Sequence, residues 1–201
     1  MFGGQLAHLE TAEFAVSNPL TANTLRWTPA PPDAASSFHF TTSGYVFTSD
    51  TCCDVNSRIA SAVTNGLIEI TIRQQSDFDL SKVGILFRAN TSSHTALAFT
   101  ITQGGEWHIQ RLSLAADGTI TDERDQRAEG IFWGVHPIHQ GQDATNRLAV
   151  LMDGASYTFY VNGQFLGGYQ ASDLPQTGQV GVYAEGTGGP TTFSDLVIAP
   201  A

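Results

Sequence analysis

The segment Asn146–Tyr169, NRLAVLMDGASYTFYVNGQFLGGY, alternates apolar and polar residues in three runs separated by two turn dipeptides. Asp153-Gly154 divides RLAVLM from SYTFYV, and Asn162-Gly163 divides SYTFYV from QFLGGY. A two-residue hairpin loop needs positive φ at its centre, which Asn, Asp and Gly reach with least strain. The spacing therefore predicts an antiparallel meander whose register is pinned by its turns.

The same pattern recurs along much of the chain. SFHF and GYVFTS flank Thr41-Thr42-Ser43, and RIASAV and LIEITIRQ flank Asn65-Gly66. KVGILFRA, TALAFTIT and EWHIQRLSL follow, and Asp117-Gly118 turns the chain into TITDE. QVGVYAEG and TTFSDLVIA close the series. Val83, Ile85 and Phe87 share one face of their strand, with Gly84, Leu86 and Arg88 on the other. Likewise Tyr157, Phe159 and Val161 oppose Ser156, Thr158 and Tyr160. One-sided alternation means one packed and one wet face, and stacking two such sheets hides both apolar faces. About a dozen short strands at roughly 8–12-residue intervals predict an all-β antiparallel sandwich. No composition break divides residues 1–201, which read as one domain. Residues 1–35 form an N-terminal strand and an irregular lead-in, in which LAHLETAEF is compatible with two helical turns, and residues 121–142 form a long loop without clear strand pattern.

Nine basic against nineteen acidic residues give a net charge of −10, which argues against nucleic acid or an anionic membrane as partner. Neutral sugars, cations or a basic protein remain compatible. No run of eighteen apolar residues would span a bilayer. Met1-Phe2-Gly3-Gly4 shows no signal-peptide pattern, so either the protein stays inside the cell or this is a piece of a longer exported chain. The two cysteines, Cys52 and Cys53, are adjacent. We read them as small, partly buried thiols, with a strained vicinal disulfide as the alternative.

Five stretches, GILFRANTSSHTALAFTI, GGEWHIQRL, NRLAVLMDGASYTFYVNGQFLGGY, GQVGVYAEG and TTFSDLVI, occur in an order that resembles the concanavalin A-like jelly-roll superfamily, and within it the laminin-G-like or carbohydrate-binding modules of bacterial surface proteins. The resemblance covers roughly Leu67 to Ile198. It implies a two-sheet jelly roll with the first and last strands side by side, pairing Glu13–Val16 with Phe193–Ile198. YVNG hairpins and GxVG strands report turn geometry and packing, so they transfer no binding residues.

Hydrolysis of a glycosidic bond needs two carboxylates flanking it. Jelly-roll glucanases place theirs on one strand as E-x-D-x-E, whereas the nearest strand here reads Glu69-Ile70-Thr71-Ile72-Arg73. Glu69 and Glu106 therefore read as surface residues and the chain as a non-enzyme. The loop TDERDQRAEG holds Asp122, Glu123, Asp125 and Glu129 among Arg124 and Arg127. It reads as a solvated acidic loop, with structural calcium on Asp122 and Asp125 as the alternative; no other cofactor is expected. Asp77 and Asp79 form a second oxygen-rich turn, and His136, His139 and Asp143 lack the spacing of a zinc site. Sugar recognition needs an aromatic ring beside polar groups. The candidates are Trp133 in the long loop, Trp107, Tyr45 and Tyr169, with Arg88 and His108 as polar partners. By parity His108 and Gln110 share a face opposite Trp107, Ile109 and Arg111. The leading expectation is a non-catalytic, carbohydrate-binding module at a cell surface or outside the cell. The alternatives are a structural or protein-interaction domain, such as a sensor ectodomain or an assembly subunit partnered by protein or by copies of itself as a homo-oligomer, and a divergent glycoside hydrolase.

Overall fold

The computed structural model describes residues 16–29, 36–49, 54–75, 81–125, 137–185 and 189–200. Along the chain the strands are Val16–Asn18 (β1), Thr28–Pro29 (β2), Ser36–Thr41 (β3), Gly44–Ser49 (β4), Asp54–Val63 (β5), Gly66–Gln74 (β6), Val83–Asn90 (β7) and Thr95–Ile101 (β8). Then come Trp107–Leu114 (β9), Ile120–Asp125 (β10), Thr145–Asp153 (β11), Ser156–Val161 (β12), Gln164–Gln170 (β13), Gly178–Glu185 (β14) and Thr191–Ala199 (β15). The first sheet runs β13-β12-β11-β6-β15-β4-β3, with β1 added on β15; the second runs β10-β9-β8-β7-β14-β5-β2. Every strand pair is antiparallel.

The meander forms as its turns require. Asn162 and Gly163 both sit left-handed, at φ 51° and 77°. The other loop is shifted by one residue from the expected dipeptide: Asp153 still pairs with Ser156, and Gly154-Ala155 makes the turn. Only Gly154 there has positive φ, 56°, the pattern of a II′ loop. The long loop is also shorter than its sequence suggests, because Ile120–Asp125 pairs with β9. A register shift between Ile120 and Asp122 breaks the period-two pattern that would have marked this strand. The first and last strands do lie together: Val16 pairs with Ile198 and Asn18 with Leu196. Glu13 and the LAHLETAEF stretch lie outside the described residues, as do Cys52 and Cys53.

Between the sheets lies one continuous apolar layer, with Ile68, Ile70, Ile72, Leu148 and Val150 facing Val83, Ile85, Leu97, Ile109 and Val182. Its centre is aromatic. Phe99 lies 4.9 Å from Phe159 between ring centroids, Phe87 lies 5.3 Å from Tyr157, and Trp107 lies 6.3 Å from Phe159. Burying each such side chain contributes roughly 1.5–3 kcal/mol, so this layer holds the sheets face to face.

Three of the expected ligand contacts belong to this interior, which corrects the reading of them as binding residues. Trp107 follows the inward parity of Ile109 and is buried. Tyr45 is buried among Trp27, Phe38 and Phe40, and its hydroxyl shares a 2.8 Å hydrogen bond with Ser57. Arg88 is 1% exposed. A bulge between Phe87 and Asn90, with Arg88 left-handed at φ 54°, slips the alternation there. Ala89 takes the outer position, beside Leu86 and Ala98, and Arg88 turns inward. Its guanidinium donates to Tyr157 Oη at 3.2 Å, to Gly154 O at 2.9 Å, and to the carbonyls of Thr64 and Gln176. One side chain thereby joins three chain reversals at one end of the sandwich.

Arg88→Met removes these donors and leaves buried carbonyls without partners, at about 1–3 kcal/mol each. Urea unfolding should show stability reduced by about 3 kcal/mol or more with the m-value unchanged. Burial pushes the Tyr45 hydroxyl up to about 12, with Ser57 pulling the other way. The folded state thus prefers the protonated phenol. That preference stabilises fully below pH 10 and is lost as pH climbs toward 12. In Tyr45→Phe the loss of stability between pH 10 and 12, followed by circular dichroism, should be shallower than in the parent.

Candidate functional site

The inward set on the second sheet leaves the alternate residues facing out, and register lines them up across strands. Asn56, Tyr183, Gly84, Thr100 and His108 form one row over β5, β14, β7, β8 and β9. Arg58, Gly181, Leu86, Ala98 and Gln110 form the next. Gly84 sits where a Cβ would lie 1.9 Å from Phe99 O, so the first row has no side chain at its middle. The outward face is polar yet covered: Asn56, Thr100, Gln110 and Tyr183 are all buried.

Glu123 organises this face. From β10 it accepts hydrogen bonds from Tyr183 Oη at 2.9 Å, from Lys82 Nζ at 2.8 Å and from Gln110 Nε2. Thr100 Oγ1 in turn donates to Gln110 Oε1 at 3.1 Å. Residues from the β10 edge of the sheet and from its middle therefore share one carboxylate. Lys82 also approaches Glu185 Oε2, at 3.7 Å, and His108 Nε2 lies 3.4 Å from Glu106 Oε2. Part of the group reaches solvent: the side chains of Lys82, Glu123, Glu106 and Glu185 are 21%, 19%, 29% and 37% exposed. The arrangement is a polar rim at one end of the second sheet, standing on a buried hydrogen-bonded floor.

A second device closes the floor. The β9–β10 turn lies over β5, where Asn56 Nδ2 donates to Gly118 O at 2.9 Å and Arg58 Nη2 donates to Asp117 O at 3.1 Å. Gly118, at φ 92°, leaves room for the guanidinium: a Cβ there would fall 1.8 Å from Arg58 Nη2. Burial holds the Arg58 guanidinium below its ordinary value, opposed by the charge of Asp117.

Of the residues expected from sequence, His108 is on this rim, and Glu106 stands beside it. Glu123 belongs to it as a hydrogen-bond acceptor on β10. Asp122 is exposed on the same strand; the side chain of Asp125 and all of Trp133, His136, Asp77 and Asp79 lie outside the described residues. Among the described residues no three His, Cys, Asp or Glu side chains are grouped to hold a metal. His139 directs Nδ1 to Thr145 O at 2.9 Å, and Asp143 pairs with Arg73 at 2.7 Å. Glu69, expected at the surface, is buried on the outer face of the first sheet, where it pairs with Arg147 at 2.5 Å. Tyr169 packs partly buried against the core near Tyr157. Lys82, Tyr183 and Glu185 escaped the sequence reading. The parity of QVGVYAE places Gly181, Tyr183 and Glu185 on one face, but only the pairing of β14 with β7 brings that face to Lys82.

No family model and no curated protein matches this sequence. Solved structures do match in shape. The carbohydrate-binding module CBM66 from Bacillus subtilis superimposes with a TM-score of 0.65 at 12% identity, over 90% of this chain and 99% of that one. A Bacillus subtilis protein of unknown function with a galectin-like fold gives 0.62 at 10% identity, over 92% and 95%. A Bacillus licheniformis β-glucanase gives 0.56 at 11% identity, over 94% and 99%.

Glu123→Ala removes the acceptor shared by Lys82, Gln110 and Tyr183. We expect a loss of about 2 kcal/mol in urea unfolding, with Glu123→Gln recovering part of it. Two antiparallel sheets stacked in this order give the chain a jelly-roll sandwich fold, the fold it shares with these structures.

Proposed function

We propose that the protein is a non-catalytic, carbohydrate-binding module that takes a neutral glycan at the rim formed by Lys82, Glu106, His108, Glu123 and Glu185. The observation that carries this reading is the convergence on Glu123 of donors from β9, β14 and the start of β7. Sugar hydroxyls are bound by fixed donors and acceptors whose positions do not have to be organised on binding. The floor of Thr100, Gln110 and Tyr183 supplies that rigidity. A net charge of −10, with three carboxylates on the rim, disfavours anionic sugars. The fold shared with a carbohydrate-binding module and a β-glucanase supports a sugar-related role. Trp133 is the aromatic side chain we assign to the sugar face.

Binding is favoured over hydrolysis by the position of Lys82. Its ammonium approaches both Glu123 and Glu185, at 2.8 and 3.7 Å, and a carboxylate paired with a cation is held ionised and is a poor general acid for glycoside cleavage. We place the protein outside the cytoplasm, at a surface where glycans are met. Among the described residues no helix is long and apolar enough to cross a membrane.

A glycan array followed by calorimetry tests the reading. Lys82→Ala, Glu185→Gln and Trp133→Ala should each weaken binding of the best neutral glycan by about tenfold, the worth of one good polar or stacking contact. An array without hits would remove the proposal. Release of reducing sugar from a β-glucan panel, lost in Glu185→Gln, would replace binding with hydrolysis.

A further inference from the structure

We propose a second ligand site, independent of the rim, in the cleft at the side of the sandwich between β1 and β5: it takes a small carboxylic acid with an apolar body. The cleft exists because β2 is short. It pairs with β5 only at Arg58 and Ser57, so Ile59–Val63 runs on without a neighbouring strand on that side among the described residues. Across the gap stand Val16 and Ile198, which pair with each other on the first sheet. The space is about 640 Å³, within the range of small-molecule sites. Val16, Leu25, Ile59, Val63 and Ile198 supply apolar walls.

The charge is supplied by Arg26, which lines the same cleft and is exposed. Each other cation whose side chain is described has an acceptor. Arg73, Lys82, Arg111 and Arg147 pair with carboxylates, while Arg58 and Arg88 donate to carbonyls. Among the cations whose side chains are described, Arg26 alone has none. Its backbone is left-handed at φ 55°, which is strained for a residue with a side chain. In a chain of net charge −10, one uncommitted guanidinium beside apolar walls selects an anion that also carries apolar surface. Thr24, Ser61, Thr64 and Asn65 add a few polar groups to the lining, but the apolar walls would leave most hydroxyls of a sugar without partners. An added peptide strand is disfavoured as well. Between Arg58–Gly181 and Ala62–Gln179 the register shifts, so residues 59–61 face only Val180 and the edge is bulged. The occupant with matching chemistry is a compact monocarboxylate.

Octanoate and its neutral counterpart octanamide are the probes, titrated by calorimetry and by amide ¹H–¹⁵N spectra of the full chain. We expect saturable octanoate binding, with shifts at Leu25, Ile59, Val63 and Ile198, and binding of octanamide weaker by at least about tenfold, the worth of one charge-assisted hydrogen bond. Arg26→Gly, which also relieves the left-handed backbone, and Ala62→Glu, at an exposed cleft residue, should each weaken octanoate by a similar factor. Arg26→Lys should retain it within about threefold. No saturable binding, equal affinity for octanamide, unchanged affinity in Arg26→Gly, or shifts confined to the Lys82 rim would each overturn the proposal. Glycan binding at that rim is read separately on the same variants and should not change.

Discussion

Everything in this molecule hangs on the interlayer of aromatic and branched side chains that clamps two pleated sheets together. A strand sends successive side chains to opposite faces, so committing Val83, Ile85, Phe99, Ile109 and Val182 to the interior also commits their neighbours to the outside. Thr100, Gln110 and Tyr183 become outward-facing for no local reason. They are where the packing of their neighbours leaves them. The chemistry of the rim is therefore a by-product of the core's parity, and a register slip of one residue would exchange the two sets.

Arg88 shows what happens when that parity is broken deliberately. A left-handed residue in a bulge costs roughly 1–2 kcal/mol, and a buried guanidinium costs more unless its donors are met. Both are offset by carbonyls from three separate turns and by the hydroxyl of Tyr157. The result is a cross-brace with no carboxylate in it. Its acceptors are backbone groups that would otherwise need partners of their own at the ends of β5, β11 and the segment before β14.

The outer face of the second sheet is built by a different logic. There Glu123 collects donors from β9, β14 and the residue before β7, and the β9–β10 turn is latched over β5 by Asn56 and Arg58. A hydrogen-bonded layer of this kind is rigid, and rigidity suits recognition of a ligand whose polar groups must be matched in place. It suits proton transfer less, because the shared carboxylate already serves three donors. The cleft beside Arg26 is the reverse case, with a single cation set against mainly apolar walls.

The sequence alone determined the antiparallel sandwich. Turn dipeptides such as Asn162-Gly163 and the alternation in SYTFYV are local signals, and local stereochemistry is enough to read them. It also placed His108 and Gln110 on a face opposite Trp107, since parity within one strand needs no partner. It misplaced Arg88, because the bulge that turns it inward arises from pairing with β8. It left Tyr45 and Trp107 as candidate contacts, because an aromatic on an alternating strand looks the same whether its face is covered or open. Only the tertiary structure decided that Lys82, Glu123, Gln110 and Tyr183, spread over a hundred residues of chain, meet at one carboxylate. Such a meeting depends on the order of strands in the sheet, which is set by long-range packing and leaves no mark in any short stretch of sequence.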